Sequence, residues 1–85
     1  MITALDPTGD DWAFQNEFFC ATLAETRLPG AEPADFLRRA VVFCNERLWG
    51  TLAANIIIHP STLRANRAAV EQALADLRYG SIGVN

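Results

Sequence analysis

The chain has no lysine: all seven of its basic residues are arginine, set against ten carboxylates for a net charge of −3. That absence removes Schiff-base catalysis and the lysine of a phosphate loop. It also leaves no polybasic patch, so nucleic acid is not an expected partner, because counterion release needs clustered positive charge. Histidine is almost as scarce, with His59 the single one, and the two cysteines, Cys20 and Cys44, form no CxxC pair. One imidazole and two distant thiols do not match zinc-ligand spacing, so no metal is expected. Two cysteines are too few for a disulfide framework and read as thiols packed in a reducing cytoplasmic core. No apolar run approaches the roughly 20 residues of a membrane span. The start, Met1 to Asp11, is polar and lacks Lys and Arg, so it is not read as a signal peptide. The expected setting is the cytoplasm, with no membrane contact.

Length sets a further bound. A chain of 85 residues buries only about 60–65% of its unfolded surface, which leaves no room for a deep two-domain cleft. The expectation is a single domain over 1–85, with 1–13 a polar leader. Within that leader Asp6-Pro7-Thr8-Gly9-Asp10-Asp11 is turn-rich.

Glu17 to Leu28 contains Phe18, Phe19, Thr22, Leu23 and Thr26 and is predicted as a strand, stopped by Pro29-Gly30-Ala31-Glu32-Pro33. Pro33 suits the first position of a helix. Phe36, Leu37, Ala40, Val41, Cys44 and Leu48 then recur at helical spacing. Asp35 precedes Arg39 by four residues, the order of an exposed ion pair. Arg47 suits the helix dipole and Gly50 a left-handed cap, so the helix is predicted to end at Trp49.

Thr51 to Ile58 is predicted as a strand with little polar alternation, hence an interior parallel strand covered on both faces. A second helix follows, with Ser61 or Asn66 as N-cap and Val70, Ala73, Leu74 and Leu77 as its apolar stripe. Ser81 to Asn85 is one more short strand. The order gives an α/β fold: a two-layer or three-layer βαβαβ unit whose crossovers share one mainly parallel sheet.

Few side chains offer chemistry. His59 has no nominated carboxylate or nucleophile partner and reads as a surface or capping residue. Cys44 falls on an apolar helix face, where burial raises its pKa, and Cys20 sits among aromatics with the same expectation. Gly80-Ser81-Ile82-Gly83 follows a helix rather than opening one, so it is no dinucleotide loop. Trp12, Phe14, Phe18 and Phe19 form an aromatic cluster expected in the core. Glu17, beside them, is either a solvated carboxylate or an acceptor for a ligand hydroxyl.

The run Phe43-Cys44-Asn45-Glu46-Arg47-Leu48-Trp49-Gly50-Thr51-Leu52, leading to Asp76-Leu77-Arg78-Tyr79-Gly80-Ser81-Ile82-Gly83-Val84-Asn85, resembles the aldehyde dehydrogenase superfamily. There, late in the catalytic domain, a helix ending in an Asn is followed after a few residues by an aromatic-Gly-Leu-like step into a strand. A further helix and a Gly-x-Val-x-Val-Asn-like strand follow. Upstream, Asn16-Glu17-Phe18-Phe19-Cys20-Ala21 is similar to the family's Glu-x-Phe-Gly-Pro motif, with Cys20-Ala21 where the family has Gly-Pro. The resemblance runs from about Phe14 onward. It implies that Glu17 holds the nicotinamide ribose and that Phe19 lies beside the nicotinamide ring, with NAD or NADP as cofactor of an intact relative. It also implies that the nucleophilic cysteine, the general base and the cofactor domain belong to other segments.

The expected function is therefore an aldehyde dehydrogenase-like oxidoreductase fragment, without catalysis and without a bound cofactor on its own. Its partner would be the remainder of a larger enzyme. The alternative is a free-standing α/β module acting through protein binding or self-association, most simply as a homodimer, since a small sheet leaves edges and an apolar face uncovered.

Overall fold

The computed structural model describes residues 2–9, 11–16 and 23–85. In chain order these form β1 (Ile2–Leu5), a 3-10 turn (Trp12–Gln15), β2 (Ala24–Thr26) and α1 (Pro33–Arg47). Then come β3 (Ala53–Ile56), α2 (Pro60–Ala65), α3 (Arg67–Asp76) and β4 (Ser81–Val84). The fold is a small α/β unit, as its alternating pattern implies. Its strands pair in parallel, but among the described residues they form two separate two-stranded sheets, β1–β2 and β3–β4, rather than one shared sheet.

The helix α1 starts at Pro33, whose missing N–H falls where no helical bond is needed, with Asp35 in the first turn. Arg39 and Arg38 both pair with Asp35, the former at 3.0 Å. The helix stops at Arg47, two residues before the expected Trp49, because Leu48 turns extended and the Trp49 N–H bonds the Phe14 carbonyl at 2.9 Å. Gly50 therefore does not cap the helix, although its φ is +152°. Arg47 reaches back to the Thr8 and Gly9 carbonyls, 2.6 Å each, and ties the leader to α1. Gly30, at φ +151°, lets the chain pass against the Phe36 backbone, where a Cβ would collide.

The segment between β3 and β4 is two helices rather than one. Asn66 leaves helical geometry (φ −127°, ψ 31°) and bonds back to the Thr62 carbonyl through both its backbone and its side chain. Of the two expected N-caps, Asn66 stands at the N-cap position of α3 and Ser61 falls inside α2. His59 caps α2, its ring nitrogen accepting the Ser61 N–H at 3.2 Å, and Asn66 precedes α3 without a side-chain cap bond. Leu77 ends α3, ahead of Tyr79-Gly80.

The leader is not all loop. Ile2–Leu5 pairs with Ala24–Thr26, with a register shift and Ala4 at φ +58°, and the Thr26 hydroxyl donates to the Leu5 carbonyl. Of the strand expected over Glu17 to Leu28, residues 17–22 lie outside the described residues, and among the described ones Ala24–Thr26 is strand.

Among the described residues the buried apolar ones are Ala13, Phe14, Val41, Phe43, Val70 and Ala73. The Phe14 and Phe43 rings meet edge-to-face, centroids 5.1 Å apart. Phe43 lies off the stripe predicted for α1, and Phe36 on that stripe is 45% exposed. The reason is that α1 is buried from two directions: it packs on α3, and the turn at Phe14 covers its Phe43 side. Trp12 is exposed, so the aromatic cluster is core only at Phe14 among its described members.

The strand β3 is not interior. It alternates exposed and half-buried, and the flanking Leu52 and Ile57 are 84% and 90% exposed. Among the described residues only β4 pairs with it, so its other edge has no strand neighbour.

Candidate functional site

The two residues that the resemblance nominates, Glu17 and Phe19, lie outside the described residues, as does Cys20. The nearest described neighbour in sequence is Asn16, which lines a recess of about 320 Å³ together with Phe14, Leu48, Trp49, Leu52 and Tyr79. The recess forms because the turn at Trp12–Gln15 hydrogen-bonds to Trp49, where α1 gives way to β3. Asp11 opens that turn by accepting the Ala13 N–H at 2.8 Å. The walls are mostly apolar. Both polar side chains are already engaged, Asn16 with the Trp12 carbonyl (2.8 Å) and Tyr79 with the Cys44 carbonyl (3.1 Å). Such a recess can hold a flat apolar group; it carries no acid, base or nucleophile.

Burial pushes the Cys44 thiol above its ordinary range, outweighing the Tyr79 hydrogen bond, and pushes the Tyr79 phenol up as well. A thiol held neutral in this way is a packing group, as its helix position implies. His59 is the α2 cap, with its Nδ1 2.8 Å from the Ser61 hydroxyl, consistent with the capping reading. Among the described residues no three His, Cys, Asp or Glu side chains cluster as metal ligands. No described helix is long and apolar enough to cross a membrane.

Two asparagines organise the β3–α2–α3–β4 block, and residue-type reasoning assigned neither a role. Asn45 on α1 donates to the Asp76 carbonyl at 2.8 Å and accepts the Arg78 N–H at 2.9 Å. Asn85, at φ +60°, continues the pairing through its N–H to the Ile56 carbonyl (2.9 Å), and its side chain accepts the Ile58 N–H (2.8 Å). The signal available was their place in the two C-terminal motifs. A wider groove of about 780 Å³ between α1 and α3 is rimmed by Asp35, Arg38, Glu46, Asp76 and Arg78, a mixed-charge solvent surface.

No protein-family model, curated protein or solved structure matches the chain.

Proposed function

We propose that this chain is a section of an aldehyde dehydrogenase-like oxidoreductase, from the side of the catalytic domain that meets the nicotinamide end of the cofactor. What supports the reading is the connection of β3 to β4. A helix carrying Asn45 passes through Trp49-Gly50 into β3, and two helices return the chain to β4. The strands pair in parallel over four positions, Ala53 with Ser81 through Ile56 with Val84, and Asn85 continues that pairing. The sequence of helix, strand, helical segment and strand agrees with the one the two C-terminal motifs imply, although α1 continues past Asn45 to Arg47 and the return is two helices rather than one. An open β3 suits a strand that takes a further neighbour.

In this reading Glu17 accepts the ribose hydroxyls and Phe19 packs beside the nicotinamide ring. Among the described residues no glycine-rich loop opens a helix, so the cofactor's pyrophosphate is assigned to the remainder of the enzyme. The chain's share of the reaction is therefore positional, and the nucleophile and base come from elsewhere. Neither Cys44 nor His59 substitutes for them, one being a half-buried thiol whose pKa is raised and the other committed to a cap.

The test is a graft of residues 14–85 in place of the corresponding section of an aldehyde dehydrogenase. A folded graft should oxidise an aldehyde with NAD or NADP. A folded graft that neither binds the dinucleotide nor oxidises the aldehyde contradicts the proposal. The exposure of Leu52, Ile57 and Trp49 favours a second reading, a module that covers itself by association.

A further inference from the structure

The β3 edge that faces away from β4 is a self-complementary surface. The carbonyls of Leu52 and Ile56 accept from the Ser81 and Asn85 N–H groups, at 3.0 and 2.9 Å, and the Ile58 N–H donates to the Asn85 side chain. Even-numbered positions therefore point their backbone groups at β4. By the period-two geometry of a strand, Ala53, Asn55 and Ile57 point theirs at the opposite edge. Among the described residues β3 has no strand neighbour on that edge.

Natural sheets guard such edges with lysine, inward charges or proline. This one carries none of them: Thr51 to Ile58 contains no charged residue and no proline. In a chain of net charge −3, an uncharged window of this kind is where two copies can approach without like-charge repulsion.

We propose that the outer edge of β3 pairs antiparallel with the same edge of a second copy, about a two-fold axis through Asn55. Asn55 then faces Asn55 of the second copy, and Ala53 faces Ile57. The outward N–H and C=O groups of the three positions make about six hydrogen bonds. The small Ala53 lies beside the larger Ile57, so the exposed faces interlock rather than clash. Each Ile57, 90% exposed in one chain, comes beside the Leu52–Trp49 end of the other, also exposed. Trp49, Leu52 and Ile57 of each copy offer roughly 400 Å² of apolar surface, about half of the ~800 Å² per partner that a stable interface hides. The strand edge and its small side chains supply the rest. The two sheets become one of four strands, β4–β3–β3–β4, which removes both open β3 edges.

This inference rests on the self-association reading and is independent of the cofactor reading. The experiment is sedimentation velocity of the full chain, and of Asn55→Asp and Asn55→Lys, each alone and as an equimolar mixture. Position 55 is exposed, and retained helical circular dichroism identifies the folded variants. If either charged variant loses that signal, Ile57→Asp and Ile57→Lys, facing Ala53 of the second copy, are compared with the unaltered chain. The expected result is a dimer that weakens at least about tenfold in either charged Asn55 variant, because like charges meet across the axis. Mixing the Asp and Lys variants restores it. A dimer indifferent to charges at positions 55 and 57, or a mixture of folded Asn55 variants that does not recover, places association elsewhere and overturns the β3 pairing alone. A chain that stays monomeric to about 1 mM, weaker than any ~4 kcal/mol interaction, overturns both the pairing and the self-association reading.

Discussion

Asn45 and Arg78 meet across the molecule: the Asn45 side-chain oxygen accepts the Arg78 backbone N–H at 2.9 Å, while its amide donates to the Asp76 carbonyl at 2.8 Å. One side chain of α1 thus satisfies two backbone groups where α3 runs out, as an extra turn of helix would. The arrangement joins the helix before β3 to the segment entering β4.

Asn45→Ala should therefore destabilise the chain by about 1–3 kcal/mol, two exposed hydrogen bonds at roughly 0.5–1.5 kcal/mol each. Urea unfolding gives the value. Asn45→Asp keeps the acceptor and loses the donor, so it should fall between Asn45→Ala and the unaltered chain. Equal losses in Asp and Ala variants would mean that the Arg78 bond contributes nothing.

The Phe14–Phe43 contact packs the turn at Trp12–Gln15 against α1, with Phe14 only 5% exposed. Phe14→Ala should cost about 3–5 kcal/mol, a large part of the roughly 4–13 kcal/mol expected for a chain this size. Trp12→Ala, two residues away at a side chain 63% exposed, should cost at most about 0.5 kcal/mol in a dilute monomer. Thermal unfolding of the two variants side by side distinguishes a core turn from a loosely attached one.

Stability should decline at both ends of the pH scale. The Thr8 hydroxyl and N–H hold the Asp6 carboxyl below its ordinary 3.8, and Arg39, with Arg38, does the same to Asp35. A carboxyl lowered in the fold stabilises above the unfolded value and loses that contribution as pH falls through the folded one, so the acid decline belongs below about pH 4. Burial raises the Cys44 thiol above 9.0 and the Tyr79 phenol above 10.0. Their contribution is complete below those values and is lost as pH rises through the folded ones. Denaturant midpoints should be level from about pH 5 to 8. Cys44→Ser would move the alkaline onset upward, and an unmoved onset would assign it to Tyr79.

Helix α1 was readable because Pro33, the Asp35–Arg39 spacing and the apolar period agree with one another. The existence of β3 and β4 followed from short apolar runs between turns. What the residues could not announce was tertiary. Whether β2 and β3 share a sheet depends on neighbours far apart in sequence, and β1 is four residues without alternation. The break at Asn66 reflects one backbone dihedral pair in a segment whose side-chain period runs straight through. Phe43 appeared off-stripe because a second partner, the turn at Phe14, buries it. For the site, Cys44 and His59 were legible as packing and capping groups, while Asn45 and Asn85 act through backbone groups of distant elements. Glu17 and Phe19 stand on motif resemblance.

The most direct measurement is the NADH dissociation constant of the grafted enzyme with Glu17 intact and with Glu17→Gln. Loss of a charged acceptor for ribose hydroxyls should weaken binding about tenfold to a hundredfold, with the fold retained. An unchanged dissociation constant in a folded graft would contradict the assignment of this chain to the nicotinamide side of such an enzyme.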